Sequence, residues 1–403
     1  MASSVFSFTP SPSDQPAGNA LQVAVQPNMS CRGWPADAGA KALKNYTALE
    51  DAFVIAQLKQ AGAVITGTTG MSELGFGLFN DTGSRAVTKG LADAALITDY
   101  LGEARASAAL AGLFGFKPSW GSVSRTGLAG LVPSMETWGI TARSMSEIRA
   151  VMSVICVPDD QDFSMRPEPL PNFTVSRSFQ DQAPVIGVAD GYEQHLNPKQ
   201  AFAWETALSD LKTAGCEIRQ VHLPDPALFS LAHHIIAAVE ASSSAGKYDG
   251  VRYGHRTDTC ADWNQMYLKT RGEAFGTLIK TFLFQGAYFQ FQQYEAFEQA
   301  CRARGRLLDQ TLTALSDLDG IAGLTLGAHV EPTTAQTIEE TYDALGFTLP
   351  ANLTGLPAVQ IPGLARHGGK DFGVHIMGKP FKDPDLLDLA RFLETVTSKA
   401  GAV

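Results

Sequence analysis

No stretch of about twenty consecutive apolar residues occurs in the 403-residue chain, so no membrane-spanning helix is expected. Basic clusters are missing too. The formal charge is −10 and the Lys and Arg residues are scattered, which excludes the cationic patch that nucleic-acid binding requires. Cysteine is sparse: Cys31, Cys156, Cys216, Cys260 and Cys301 are far apart, odd in number and without a CxxC pair. That pattern argues for reduced thiols in a cytoplasmic protein over disulfides or a metal centre. Cys31, in SCRGWP, reads as a loop cysteine rather than a reactive thiol. HExxH, the P-loop and GxGxxG after a strand are all absent, so no metal and no cofactor is expected. The N-terminal MASSVFSFTPSPSDQPAG has no basic region followed by an apolar one, so it does not read as a signal peptide. Residues 1–20 read instead as a partly disordered, Ser/Pro-rich lead-in.

What is present is a large apolar fraction, 45% of residues, ample for an extensive core. Leu21–Val25 reads as a strand. Thr47-Ala-Leu-Glu50 has the form of a capping box, with Phe53, Val54 and Leu58 on one helical face and Gly62 closing the helix. Ala63–Ile65 follows as a short buried strand. Val87–Leu96 is Ala-rich and reads as a buried helix or strand, and Ser107–Leu113 as a tightly packed helix. A second capping box, Ser144-Met-Ser-Glu147, opens a helix over Ile148–Ile155. Pro184–Ala189 and Cys216–Leu223 read as strands flanking a helix over Pro198–Ala214, with Phe202, Leu208 and Leu211 inward. Residues 226–319 read as mostly helical. Further strands are expected at Gly320–Leu326 and Ala358–Ile361, and a C-terminal helix opens at Asp383-Pro384. Alternating helices and strands joined at glycines predict an α/β fold.

The stretch Thr98–Arg125, TDYLGEARASAALAGLFGFKPSWGSVSR, is dense in Gly, Ala and Ser and ends in the turn GFKPSWG. With AGAVITGTTGMSELGFG (61–77) and SMETWGITARSMSEI (134–148), it resembles the amidase signature family. That family reads roughly AGAVIxGKTNMxEF, then GGSSGGS and GSDTGGSIR, then GLKPTxGxVSRxG. GFTLPANLTGLPAVQIP (346–362) and DFGVHIMGKPFKDPDLLDLARFLE (371–394) resemble its later motifs. The resemblance implies a mixed, twisted β-sheet surrounded by helices, with residues 21–403 as one domain and a signature core at 61–155.

It also implies an expected site. Family members hydrolyse amides with a Ser–cis-Ser–Lys triad. Position by position, the lysine falls on Thr68, the cis-serine on Phe79 with Asn80 beside it, and the nucleophile on Glu103. The loop that would hold the oxyanion becomes Tyr100, Leu101 and Gly102. Asp99 and Arg105 match the motif and imply a buried polar pair. His329 falls in a loop that borders the pocket in the family. The candidate pocket is therefore Asn80, Asp99, Leu101, Gly102, Glu103, Arg105 and His329. His233-His234, on an apolar stretch, reads as packing rather than metal binding.

Three functions compete on this reading. With all three triad positions changed, the leading expectation is a degenerate homologue without amide hydrolysis, acting as a binding, scaffold or regulatory subunit. It would take a small-molecule ligand or a protein partner, or self-associate as a homo-oligomer. The second is altered chemistry centred on Glu103, aided by Arg105, Asn80 or His329. The third is a conventional hydrolase of linear amide C–N bonds with Ser84 or Ser107 as a relocated nucleophile.

Overall fold

The computed structural model describes residues 5–11, 20–166, 169–179, 182–327 and 331–400. One sheet of 11 strands runs through these residues. Its strands are β1 (Phe6–Phe8), β2 (Gln22–Val25), β3 (Val64–Thr69), β4 (Ala94–Asp99), β5 (Phe114–Lys117), β6 (Thr137–Ala142), β7 (Val185–Ala189), β8 (Glu217–Val221), β9 (Gly320–Leu324), β10 (Ala358–Ile361) and, after the hairpin β11–β12 (Arg366–His367 and Lys370–Asp371), β13 (Val374–Met377). The order is β1-β3-β2-β4-β6-β5-β10-β13-β9-β7-β8. β2 runs parallel to β3 and β4, and β7 to β8 and β9, while the central pairs are antiparallel. The sheet is therefore mixed, as the resemblance implies.

Alternation along the strands sorts side chains to two faces. Val23 and Val25 pack with Val54, Leu58, Ile148 and Met152 from helices α1 (Phe53–Gln60) and α4 (Met145–Ile155). Ala24, between them, packs with Val5, Ala86 and Ala108. The last two lie on α2 (Gly83–Thr88) and α3 (Glu103–Ala111). Helices α5 (Pro198–Thr213), α6 (Pro226–Ser244), α7 (Trp263–Ala274), α8 (Thr277–Phe291), α9 (Tyr294–Leu315), α10 (Ile338–Leu345), α11 (Leu349–Thr354) and α12 (Asp383–Ala400) complete the layers. None of the helices among the described residues is long and apolar enough to cross a membrane.

Several expectations change in detail. The capping box at Ser144 forms, with Glu147 bonded back to the Ser144 amide. The one at Thr47 does not: α1 begins after Ala52, which carries no side-chain cap. Phe202 points outward, 55% exposed, and Trp204, Ala207 and Leu211 face the core instead. Within the N-terminal lead-in, Phe6–Phe8 form an edge strand on β3, and residues 1–4 and 12–19 lie outside the described residues.

Candidate active site

α3 explains the run of small residues. It lies so close to the sheet that a Cβ on Gly139 of β6 would stand 2.2 Å from the Cβ of Ala104. Gly102 precedes α3 at φ +108, and a Cβ there would stand 2.0 Å from Thr348 Oγ1. Glycine is required at Gly102 on both counts: backbone conformation and close approach.

Glu103 opens α3 and is 1% exposed. Its Oε2 accepts the Tyr100 and Leu101 amides at 2.9 and 2.8 Å, and Oε1 accepts the Gly77 amide at 3.4 Å. The carboxyl group thus occupies amides of the loop to which the resemblance assigns an oxyanion. Burial, then the charge of Asp99, raises its pKa to about 8 against the pull of those amide bonds.

Asp99 and Arg105 form the expected buried pair, with Arg105 Nη2 donating to Asp99 Oδ1 at 3.0 Å. Arg105 also donates to the Thr348 carbonyl at 3.1 Å and to Asn352 Oδ1 at 2.5 Å. Burial alone would raise the Asp99 pKa, but Arg105's charge and hydrogen bonds, with that of Asn352, bring it below the ordinary carboxylate value. Asn352 and Thr348 belong to the motif GFTLPANL. Sequence reasoning matched that motif without giving either residue a role.

The other expected positions lie apart from this cluster. Thr68 is buried in β3, where Ser7 Oγ donates to its carbonyl and lies 3.0 Å from its Oγ1. Phe79 is 45% exposed and Asn80 is exposed at φ +66, in the turn before α2. His329 lies outside the described residues. His233 is fully buried and bridges elements: Nε2 meets the Tyr100 carbonyl at 2.8 Å and Nδ1 the Tyr342 hydroxyl at 3.0 Å. A carbonyl only accepts, so Nε2 carries the proton and Nδ1 accepts from Tyr342. Burial lowers its pKa to about 3, so the ring is neutral.

A second polar cluster sits on the side of α3 away from Arg105, because residues two apart on a helix point about 200° apart. Ser107 Oγ donates to Ser84 Oγ at 2.7 Å and stands 3.4 Å from Asp81 Oδ1. Asp81 Oδ2 accepts from Gln26 Nε2 at 2.6 Å, and Oδ1 from the Gly83 amide at 3.0 Å. Burial raises the Asp81 pKa to about 6, restrained by those hydrogen bonds. Ser84 and Ser107 are 3% and 8% exposed, whereas Asp81 is half-buried beside exposed Asn80. Ser84 and Ser107 were legible as candidate nucleophiles. Asp81 was missed, though its place in the turn GLFNDTGSR, two residues before a helix, was the available signal.

The chain matches the sequence profile of the Amidase family over residues 19–88 and 82–387. It belongs to the amidase signature family. The A subunit of glutamyl-tRNA(Gln) amidotransferase from Nitrosococcus oceani is 32% identical over 392 residues, covering 89% of this chain and 80% of that relative. The same-named protein of Nitratidesulfovibrio vulgaris is 32% identical over 415 residues, covering 94% and 85%. Among solved structures, the Thermotoga maritima protein of that name superposes with a TM-score of 0.78 at 23% identity, over 97% of this chain and 87% of that one. The fold of this chain is therefore that of the family. The expectation of a degenerate homologue acting only as a binding, scaffold or regulatory subunit is overturned: relatives this similar along nearly the whole chain carry the name of an enzyme.

Proposed function

We propose that this family member is an enzyme that hydrolyses linear amide C–N bonds with a relocated serine. The observation that carries this reading is the contact among Asp81, Ser84 and Ser107, brought together from two helices and a turn. Ser107 is the nucleophile, Asp81 the general base and Ser84 the positioning residue that holds the Ser107 hydroxyl. The Ser107 hydroxyl turns from Ser84 to Asp81 and gives it the proton as Ser107 Oγ bonds to the amide carbonyl carbon and the carbonyl π pair moves to oxygen. Asp81 returns that proton to the nitrogen as the C–N bond breaks and the amine leaves. Water, giving a proton to Asp81, then attacks the Ser107 ester, and Asp81 returns that proton to Ser107 Oγ as the acyl C–Oγ bond breaks and the acid leaves. A base whose pKa stands near 6 can serve in both directions at neutral pH.

Chemistry centred on Glu103 is less well supported, because its oxygens are already committed to three backbone amides. The word subunit in the relatives' names supports a protein partner for this chain as well. Those relatives act on an aminoacyl-tRNA by name, and the cysteines among the described residues are free, which together support a cytoplasmic location. The deciding experiment is labelling with a serine-reactive fluorophosphonate, followed by mapping of the modified peptide. Label on Ser107, lost in Ser107→Ala and weakened in Ser84→Ala, is the expected result. An unlabelled protein, or label persisting in Ser107→Ala, refutes the assignment.

A further inference from the structure

The half of the sheet away from the Asp81–Ser84–Ser107 cluster carries a cavity of about 330 Å³. It opens beside the ends of β7 and β9, under the start of α6 and against the turn before α11. Leu223, Pro226, Phe229, Ile321, Phe347 and Met377 supply apolar walls. None of the three residues of the hydroxyl cluster lines it, so it is a separate site.

Its polar groups are few and unequal. Tyr192, 8% exposed, lines the cavity, and its hydroxyl accepts the Leu324 amide at 2.8 Å. Burial raises the phenol's pKa, so it keeps its proton, and no described residue is bonded as acceptor to it. His375 is buried at the same end, with Nδ1 3.5 Å from Arg105 Nη1. An imidazole facing a guanidinium accepts, and burial followed by Arg105's charge lowers the pKa to about 3, so this ring adds no positive charge to the cavity. Asp190, Asp225, Gln194 and His195 are exposed members of the lining, and no Lys or Arg lines the cavity.

We propose that this cavity binds a small primary amine with an apolar body. The apolar part fills the space between Phe229, Ile321 and Phe347. An oxygen on the ligand, where there is one, accepts from Tyr192. The ammonium sits at Asp190 and Asp225. An anion would meet two carboxylates with no Lys or Arg in the lining to offset them, which sets the sign of the preference.

The test uses three probes of matched shape and different charge on the full chain: 2-phenylethylamine, 2-phenylethanol and 3-phenylpropanoate. Titration calorimetry reads affinity, and Trp204 fluorescence reports occupancy because its ring packs 5.2 Å from that of Tyr192. The amine is expected to bind one to one, about tenfold tighter than the alcohol, with the carboxylate weakest. The Asp190→Asn/Asp225→Asn pair should erase that preference, and asparagine still caps α6. Gly346 lines the cavity at φ −56, and a Cβ there would meet no atom within 4 Å, so Gly346→Trp should fold and abolish binding of amine and alcohol alike. Equal affinity for amine and alcohol, a preference that survives the double asparagine variant, or no binding of any probe overturns the proposal.

Discussion

Replacing Asp81 by asparagine separates a catalytic carboxylate from a structural one. With a pKa of about 6, Asp81 is about nine-tenths ionised at pH 7 and about one-tenth at pH 5. A reaction that needs the ionised base should therefore slow about tenfold between those pH values, whereas an aspartate at the ordinary 3.8 would lose only about a twentieth. The stability effect has the opposite sense. The folded pKa lies above the unfolded one, so the folded state holds more protons between pH 3.8 and about 6, and this group's contribution to stability falls as pH rises through that window. A shift of that size corresponds to about 3 kcal/mol of cost at pH 7, an upper value for a half-buried group. The asparagine side chain would relieve that cost. It would also lose one charge-assisted bond, since the Gln26 carboxamide is held by the Thr98 amide at 2.8 Å and cannot turn to suit it, at about 1.5–3 kcal/mol. The two nearly cancel. Asp81→Asn should melt within a few degrees of the wild type at pH 7 yet label with fluorophosphonate about 100- to 10,000-fold more slowly. The assay is labelling rate against pH from 4.5 to 8, beside thermal melts of the same samples. A flat labelling profile in the wild type, or unchanged labelling in Asp81→Asn, would refute the role assigned to Asp81.

The buried ion pair sets a second expectation. Asp99→Asn leaves Arg105 uncompensated and should cost about 3–5 kcal/mol in denaturant unfolding, while the double change Asp99→Leu/Arg105→Met should cost less than the sum of its singles. For Glu103 the folded pKa again lies above the unfolded one, so its contribution is lost as pH rises from 4.5 through about 8. The stability of the wild type relative to Glu103→Gln should therefore fall from pH 5 to pH 9, and a constant difference contradicts the assignment. Gly102→Ala meets both a positive φ and Thr348, so a loss on the order of 3 kcal/mol or more, or failure to fold, is expected by circular dichroism. Burial pushes the thiols of Cys31 and Cys156 up to about 12, so iodoacetamide at pH 8 should modify the exposed Cys260 and Cys301 and spare those two.

What the sequence disclosed divides by range of interaction. The Ser144 box is a contact over three residues that also faces a buried helix, so local pattern and tertiary packing agree. The Thr47 box has the same letters, but the chain there runs along the Cys31–Tyr46 loop, with the Ala48 amide donating to the Trp34 carbonyl, and tertiary hydrogen bonds outweigh the local signal. Phe202 misleads for a related reason: on α5 the Trp204 and Leu211 side take the core, and Phe202 packs instead against His367 of the hairpin at 4.6 Å. Motif register singled out Asp99, Arg105 and Glu103, which the fold buries between the end of β4 and the head of α3. It could not show that Glu103 fills its own loop, because that depends on how far α3 sinks onto β6 at Gly139. Sequence register located both serines but not their contact, which arises only when α2 lies against α3 and closes a separation of 23 residues. The same packing supplies the logic of the relocation. A carboxylate at the head of α3 occupies the Tyr100 and Leu101 amides, and the same helix four residues on presents a hydroxyl to a second carboxylate. The chemistry we assign thus lies little more than one helical turn along the chain from Glu103, on the same face of α3.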